Sequence, residues 1–150
     1  MKKNRMIGAI IAIMVTMAAL LAACSGSPNA QIPSEAIGKK ISVTGGEYTD
    51  ISVAELKSML ENKDFYFVNV HIPFEGDIAN TDVSIPFDKI DQNLDKLPKE
   101  KNAKIVLYCR SDRMSNIAAA TLVRIGFTNI FNLDGGMVAW EEAGLPLKGK

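Results

Sequence analysis

Val106-Leu107-Tyr108 is an apolar run that ends in Cys109, enters the short loop Arg110-Ser111-Asp112-Arg113, and gives way at Met114 to a helical apolar stripe. This strand–loop–helix, with a thiol at the mouth of the loop, restricts the fold more than any other stretch. A loop that curls around Cys109 turns successive backbone N–H groups inward and makes a small anion-binding nest. The helix behind it aims the positive end of its dipole at the same point. Arg110 and Arg113 add side-chain charge. Each effect favours thiolate, the reactive form of cysteine. Asp112 opposes them unless it points outward or pairs with an arginine. The plainer alternative is that Cys109 is a small buried hydrophobe at a strand end.

The rest of the chain supplies the frame for such a loop. Residues 40–44 alternate like a strand and Gly45-Gly46 breaks them; residues 48–51 can extend again. Ser52, with Glu55 three residues on, forms a capping box, and Val53, Leu56 and Leu60 then share one helix face. Residues 65–70 are nearly all apolar, as in a strand buried on both faces. Residues 71–78 read as a loop broken by Pro73 and Gly76, and residues 82–86 as a brief strand closed by Pro86. Phe87, Ile90, Leu94 and Leu97 stand at helical spacing and predict a short helix.

After the cysteine loop, Met114, Ile117, Ala118, Leu122 and Ile125 form the stripe, and Gly126 is placed to end the helix. Residues 128–133 predict a last strand, Gly135-Gly136 a tight turn, and residues 137–143 a short helix with Trp140 in the core. Strands alternating with helices predict an α/β domain with a mostly parallel sheet. Sites in such sheets lie outside the carboxyl ends of strands, where Cys109 stands.

A chain of 150 residues suggests one folded domain, and its 17 basic and 17 acidic residues give no footing for nucleic acid. Lys2, Lys3 and Arg5 precede an uncharged, largely apolar stretch, residues 6–23, which reads as a targeting segment. It ends in Leu21-Ala22-Ala23-Cys24, which resembles the bacterial lipobox. That resemblance implies a signal peptide over residues 1–23 and a palmitate-bearing lipid on Cys24. Residues 24–38 are then a flexible tether and residues 39–150 the folded domain, held at the cell membrane on its extracytoplasmic side. With Cys24 so assigned, Cys109 is a lone thiol. Cysteine and histidine do not cluster, so no metal or other cofactor is expected, and His71 reads as a satisfied structural residue.

Tyr108-Cys109-Arg110-Ser111 followed by a helix, and then Asp134-Gly135-Gly136-Met137-Val138-Ala139-Trp140, resembles a single-domain rhodanese. Residues 65–78 resemble that family's first motif, and Gly126-Phe127 also matches. The resemblance implies a mostly parallel five-stranded sheet with helices on both faces, and a monomeric sulfurtransferase of the thiosulfate sulfurtransferase type. Cys109 would take a sulfane sulfur from thiosulfate or a persulfide and pass it to a thiol or cyanide. Arg110, Ser111, Asp112, Arg113, Met114 and Ser115 would line the donor site.

Several positions depart from the family pattern. Asp112 stands where many members have glycine, and Met114 where they have lysine or arginine. Asn69-Val70-His71 replaces Asp-Val-Arg, and Gly76-Asp77-Ile78 replaces Gly-His-Ile. An acid beside the thiolate is expected to weaken anion binding and make thiosulfate a poor donor. A cysteine phosphatase would need arginine six positions after the cysteine, where Ser115 stands. The contrasting possibility is a non-catalytic binding module that presents this fold at the cell surface.

Overall fold

The computed structural model describes residues 37–150. The lipobox segment and Cys24 lie outside the described residues. Within them no helix is long and apolar enough to cross a membrane.

Six strands form one sheet: β1 (Lys39–Val43), β2 (Gly46–Ile51), β3 (Tyr66–Asn69), β4 (Val83–Ser84), β5 (Ile105–Tyr108) and β6 (Ile130–Leu133). Their order is β1-β2-β6-β5-β3-β4. Every pairing from β2 to β4 is parallel, so the five parallel strands implied by the resemblance are present. The correction is a sixth strand. β1 folds back through the Gly45-Gly46 turn and pairs antiparallel with β2, with Lys39 opposite Asp50 and Val43 opposite Gly46. The hairpin forms because both runs are extended and only a tight turn separates them.

Among the described residues three helices flank the sheet: α1 (Val53–Glu61), α2 (Arg113–Arg124) and α3 (Gly136–Glu142). At the start of α1 the capping box is complete. Ser52 Oγ accepts from the Glu55 N–H, and the Glu55 carboxylate accepts from the Ser52 N–H at 2.7 Å. The Ser52 N–H, and the Ser52 hydroxyl that also donates to the carboxylate at 2.7 Å, hold the Glu55 carboxyl below its ordinary value. At the end of α2, the Phe127 N–H donates to the Leu122 carbonyl at 3.0 Å and the Gly126 N–H to the Val123 carbonyl at 2.9 Å. This is the Schellman pattern, and Gly126, at φ +97°, takes the left-handed position it requires.

The short helix expected after Pro86 is instead two 3-10 turns, Phe87–Gln92 and Leu94–Lys96. The segment is rich in Asp and Asn, which compete with the helical backbone, and the Asn93 amide bonds the Lys89 carbonyl. The spacing still serves packing, since Ile90 and Leu97 are buried.

The sheet divides the core in two. Ile105, Leu107 and Cys109 face one cluster, with Val68, Val70, Ile90 and the inner face of α2. Val106 and Tyr108 face the other, with Phe67, Leu56, Met137 and Trp140. All four residues of β5 are fully buried, as a central parallel strand covered on both faces requires. Each such side chain stabilises the fold by roughly 1.5–3 kcal/mol. Trp140 packs in the second cluster and its indole N–H donates to the Pro146 carbonyl at 3.2 Å. The period-2 alternation along β5 therefore sends Cys109 to the α2 side.

Candidate active site

Strand β5 delivers Cys109 to the base of a loop that joins it to α2. The thiol is almost fully buried, and Ser115, in the first turn of α2, donates its hydroxyl to Cys109 Sγ at 3.3 Å. Ser115 is completely buried, and its Oγ also lies 3.0 Å from the Asp112 carbonyl. Ser115 holds the sulfur in place and offers it a hydrogen bond.

The loop is clamped from the other side by α3. The Met137 N–H donates to the Cys109 carbonyl at 2.9 Å and the Val138 N–H to the Arg110 carbonyl at 3.0 Å. Gly136 makes this approach possible. A Cβ there would lie 2.3 Å from the Cys109 carbonyl oxygen. The Cys109 and Arg110 carbonyls are committed to α3, those of Ser111 and Asp112 accept from Arg113 and Asn116, and the N–H groups of Arg110, Ser111, Asp112 and Met114 have no acceptor among the described residues. Free N–H groups at the amino terminus of a helix are what an anion binds.

Asp112 does not act as the sequence suggests. Its backbone has a positive φ, +73° with ψ −47°, at the centre of a γ-turn closed by the Arg113 N–H on the Ser111 carbonyl at 3.0 Å, and its carboxylate Oδ1 accepts from the Gly135 N–H at 2.8 Å. The carboxylate is a third clamp between loop and α3 rather than a charge without a partner beside the thiol. The positive φ also explains why glycine suits this position, since a residue without Cβ adopts it at no steric cost.

The remaining loop residues separate in role. Arg110 reaches across to β3's loop and pairs with Glu75 at 3.0 Å. Ser111 and Arg113 are exposed, and Arg113 makes no ion pair among the described residues. Met114 is half-buried and packs on the α2-side core, leaving Arg113 as the loop's uncommitted cation.

Behind the loop lies a polar network that sequence reasoning missed. Asn69 Nδ2 donates to the Gly76 carbonyl at 3.0 Å and to Asp77 Oδ1 at 2.9 Å. Tyr108 Oη donates to Asp77 Oδ1 at 3.1 Å, accepts from the Ile78 N–H at 3.0 Å, and lies 2.7 Å from Thr81 Oγ1. Burial pushes the Tyr108 phenol well above its ordinary range. The two departures at positions 69 and 77 are thus bonded to each other, and together they fix the loop over residues 71–78. The available signal was that both positions departed from the pattern together.

His71 is not the satisfied residue expected. Its ring is buried, with 8% side-chain exposure, and neither ring nitrogen has a hydrogen-bond partner among the described residues. Nε2 lies 3.5 Å from Glu75 Oε1.

A cleft of about 720 Å³ is lined by Lys39, Asp50, Ser52, Glu55 and Asp134, with no residue of the cysteine loop. The thiol and the free N–H donors belong to the loop and not to this cleft. On the cleft wall, burial raises the Asp50 carboxyl above its ordinary value of 3.8; the Asn132 hydrogen bond opposes this, and nearby Asp134 and Asp112 add to it. The native state therefore binds this proton more tightly than the unfolded chain. The associated stability is complete below pH 3.8 and is lost as pH rises through the higher native value. Asp50→Asn keeps an oxygen for Asn132 Nδ2, so thermal unfolding should show it more stable than wild type at pH 7, with the gap closing toward pH 4.

A family model described as the rhodanese-like domain matches residues 52–143, and the chain belongs to that family. A sulfurtransferase of Allochromatium vinosum is 32% identical over 92 residues, covering 59% of this chain and 83% of that one. A rhodanese-like domain protein from Staphylococcus aureus is 33% identical with a TM-score of 0.56, covering 67% of this chain and 98% of that one. The polysulfide-sulfur transferase homodimer of Wolinella succinogenes is 28% identical with a TM-score of 0.52, covering 65% and 76%. The tRNA uridine(34) hydroxylase of Erwinia tasmaniensis is more distant, at 28% identity, and the chain spans 31% of its length. Family and sulfurtransferase relatives support a sulfur-transfer role for an enzyme of the sulfurtransferase type.

Proposed function

We propose that the protein is a membrane-anchored, extracytoplasmic sulfurtransferase that carries sulfane sulfur as a persulfide on Cys109. The Cys109 thiolate attacks the outer sulfur of thiosulfate, the sulfur–sulfur bond breaks, and sulfite leaves with the bonding pair. With a persulfide donor, the leaving group is the donor's thiolate. A thiol or cyanide then attacks the terminal sulfur and Cys109 departs as thiolate. Splitting one transfer into two displacements is covalent catalysis. The single observation that carries this reading is the clamped loop, which leaves free N–H groups in the turn that Cys109 opens and sets the Ser115 hydroxyl 3.3 Å from its sulfur. Those donors stabilise the negative charge that moves on and off the terminal sulfur.

The anchor rests on Leu21-Ala22-Ala23-Cys24. The full chain, expressed in a bacterial host fed labelled palmitate, should take up label and sediment with membranes. Cys24→Ala should lose the label; equal labelling of that variant would end the lipoprotein reading. The same preparation in detergent should form thiocyanate from thiosulfate and cyanide, or pass sulfur from glutathione persulfide to a thiol as a new persulfide, read as the sulfide released when a second equivalent of thiol attacks its inner sulfur and forms the disulfide. A folded enzyme active in neither assay would count against sulfur transfer.

A further inference from the structure

We infer that Glu75 is a specificity-determining residue that competes with anionic donors for Arg110, and so biases the enzyme away from thiosulfate and toward donors of lower net charge. This rests on the sulfurtransferase reading. Arg110 follows the nucleophile directly and is the loop cation nearest to it in the chain. Its guanidinium is already engaged, with Nη1 3.0 Å from Glu75 Oε2. The other oxygen of the same carboxylate lies 3.5 Å from His71 Nε2. Glu75 is therefore held between a loop cation and a buried imidazole whose two nitrogens have no hydrogen-bond partner among the described residues.

A dianion approaching Arg110 must displace this carboxylate or bind beside it. Both carry a cost that a donor of no net charge avoids. His71 supplies the place to which Glu75 withdraws, since an imidazole N–H within reach can receive the carboxylate that Arg110 releases. Asp112 is excluded as the main competitor because its carboxylate is bonded to Gly135. Glu75 and Arg110 are each partly exposed, so the pair has the strength of a surface ion pair, which corresponds to a factor of up to about five in an equilibrium.

The test compares two donors on the full chain in detergent. One is thiosulfate; the other is cysteamine persulfide, whose ammonium offsets its persulfide charge. Glu75→Gln should lower KM for thiosulfate about fivefold, leave kcat in place, and leave KM for cysteamine persulfide unchanged or higher. In an Arg110→Gln background the same substitution should have no effect on the thiosulfate KM. An unchanged thiosulfate KM, an equal shift for both donors, or an effect that survives without Arg110 would each overturn the inference. If the wild type accepts sulfur from neither donor, that failure falls on the sulfurtransferase reading. Anion binding is then read by the sulfite concentration that half-protects Cys109 from iodoacetamide. It should still fall about fivefold in Glu75→Gln, and no fall would overturn the inference by itself.

Discussion

Cys109→Ser should lower sulfur transfer by at least about a thousandfold while the domain stays folded. No other described residue can take over the nucleophile's part, because Cys109 is the free cysteine of the described domain. Serine fits the same space, and its hydroxyl can share the hydrogen bond that Ser115 gives the sulfur. The folded state therefore changes little, and unfolding temperature should move by only a few degrees. Thiocyanate or sulfide release measures the first effect and a thermal melt the second. Substantial transfer by a folded Cys109→Ser variant would remove the persulfide from the account.

Gly136→Ala should have the largest effect on stability, and it should disable the site as well. Gly136 sits at φ +54°, where an L side chain costs about 1–2 kcal/mol. Its new Cβ would also lie 2.3 Å from the Cys109 oxygen and 2.8 Å from that of Arg110, so the loop must move. Moving it weakens the bonds from Met137 and Val138, each worth about 1 kcal/mol. Together these predict a loss of about 3 kcal/mol, or an unfolding temperature lower by roughly 10 °C. Gly126→Ala is the control. Gly126 is also left-handed, at φ +97°, but nothing lies within 4 Å of its added Cβ. It should cost only the conformational term and leave transfer intact. Equal loss of activity in both variants would mean that α3 does not hold the catalytic loop.

The two predictions mark how far the chain could be read without coordinates. Local chemistry was plain. Ser52 and Glu55 announced a capping box, Gly126 a helix end, and Cys109 its place at a strand terminus; each depends on neighbours within a few residues. What was hidden depends on residues far apart in sequence. Nothing near Asp112 says that its carboxylate will meet the Gly135 N–H. Nothing near Arg110 says that Glu75, from the loop after a different strand, will neutralise it. Gly135-Gly136 read as a turn, but the close approach of Gly136 to Cys109 needs β5 and β6 side by side. The β1–β2 hairpin was legible as two extended pieces, while its antiparallel edge pairing was not.

These long-range contacts change the chemical expectation. From sequence, Asp112 was the acid that would weaken donor binding. In the structure Asp112 clamps the loop, and Glu75 is the acid paired with a loop arginine. The expectation that thiosulfate is a poor donor thus passes from Asp112 to Glu75.

Intact-mass spectrometry of the full chain tests the central claim most directly. Wild type and Cys109→Ser would each be incubated with thiosulfate and with glutathione persulfide, then weighed before and after cyanide. The account predicts one added sulfur on wild type only, removed by cyanide. A folded wild type whose Cys109 reacts with iodoacetamide, yet gains no sulfur from either donor, would contradict it and favour a binding module built on the same fold.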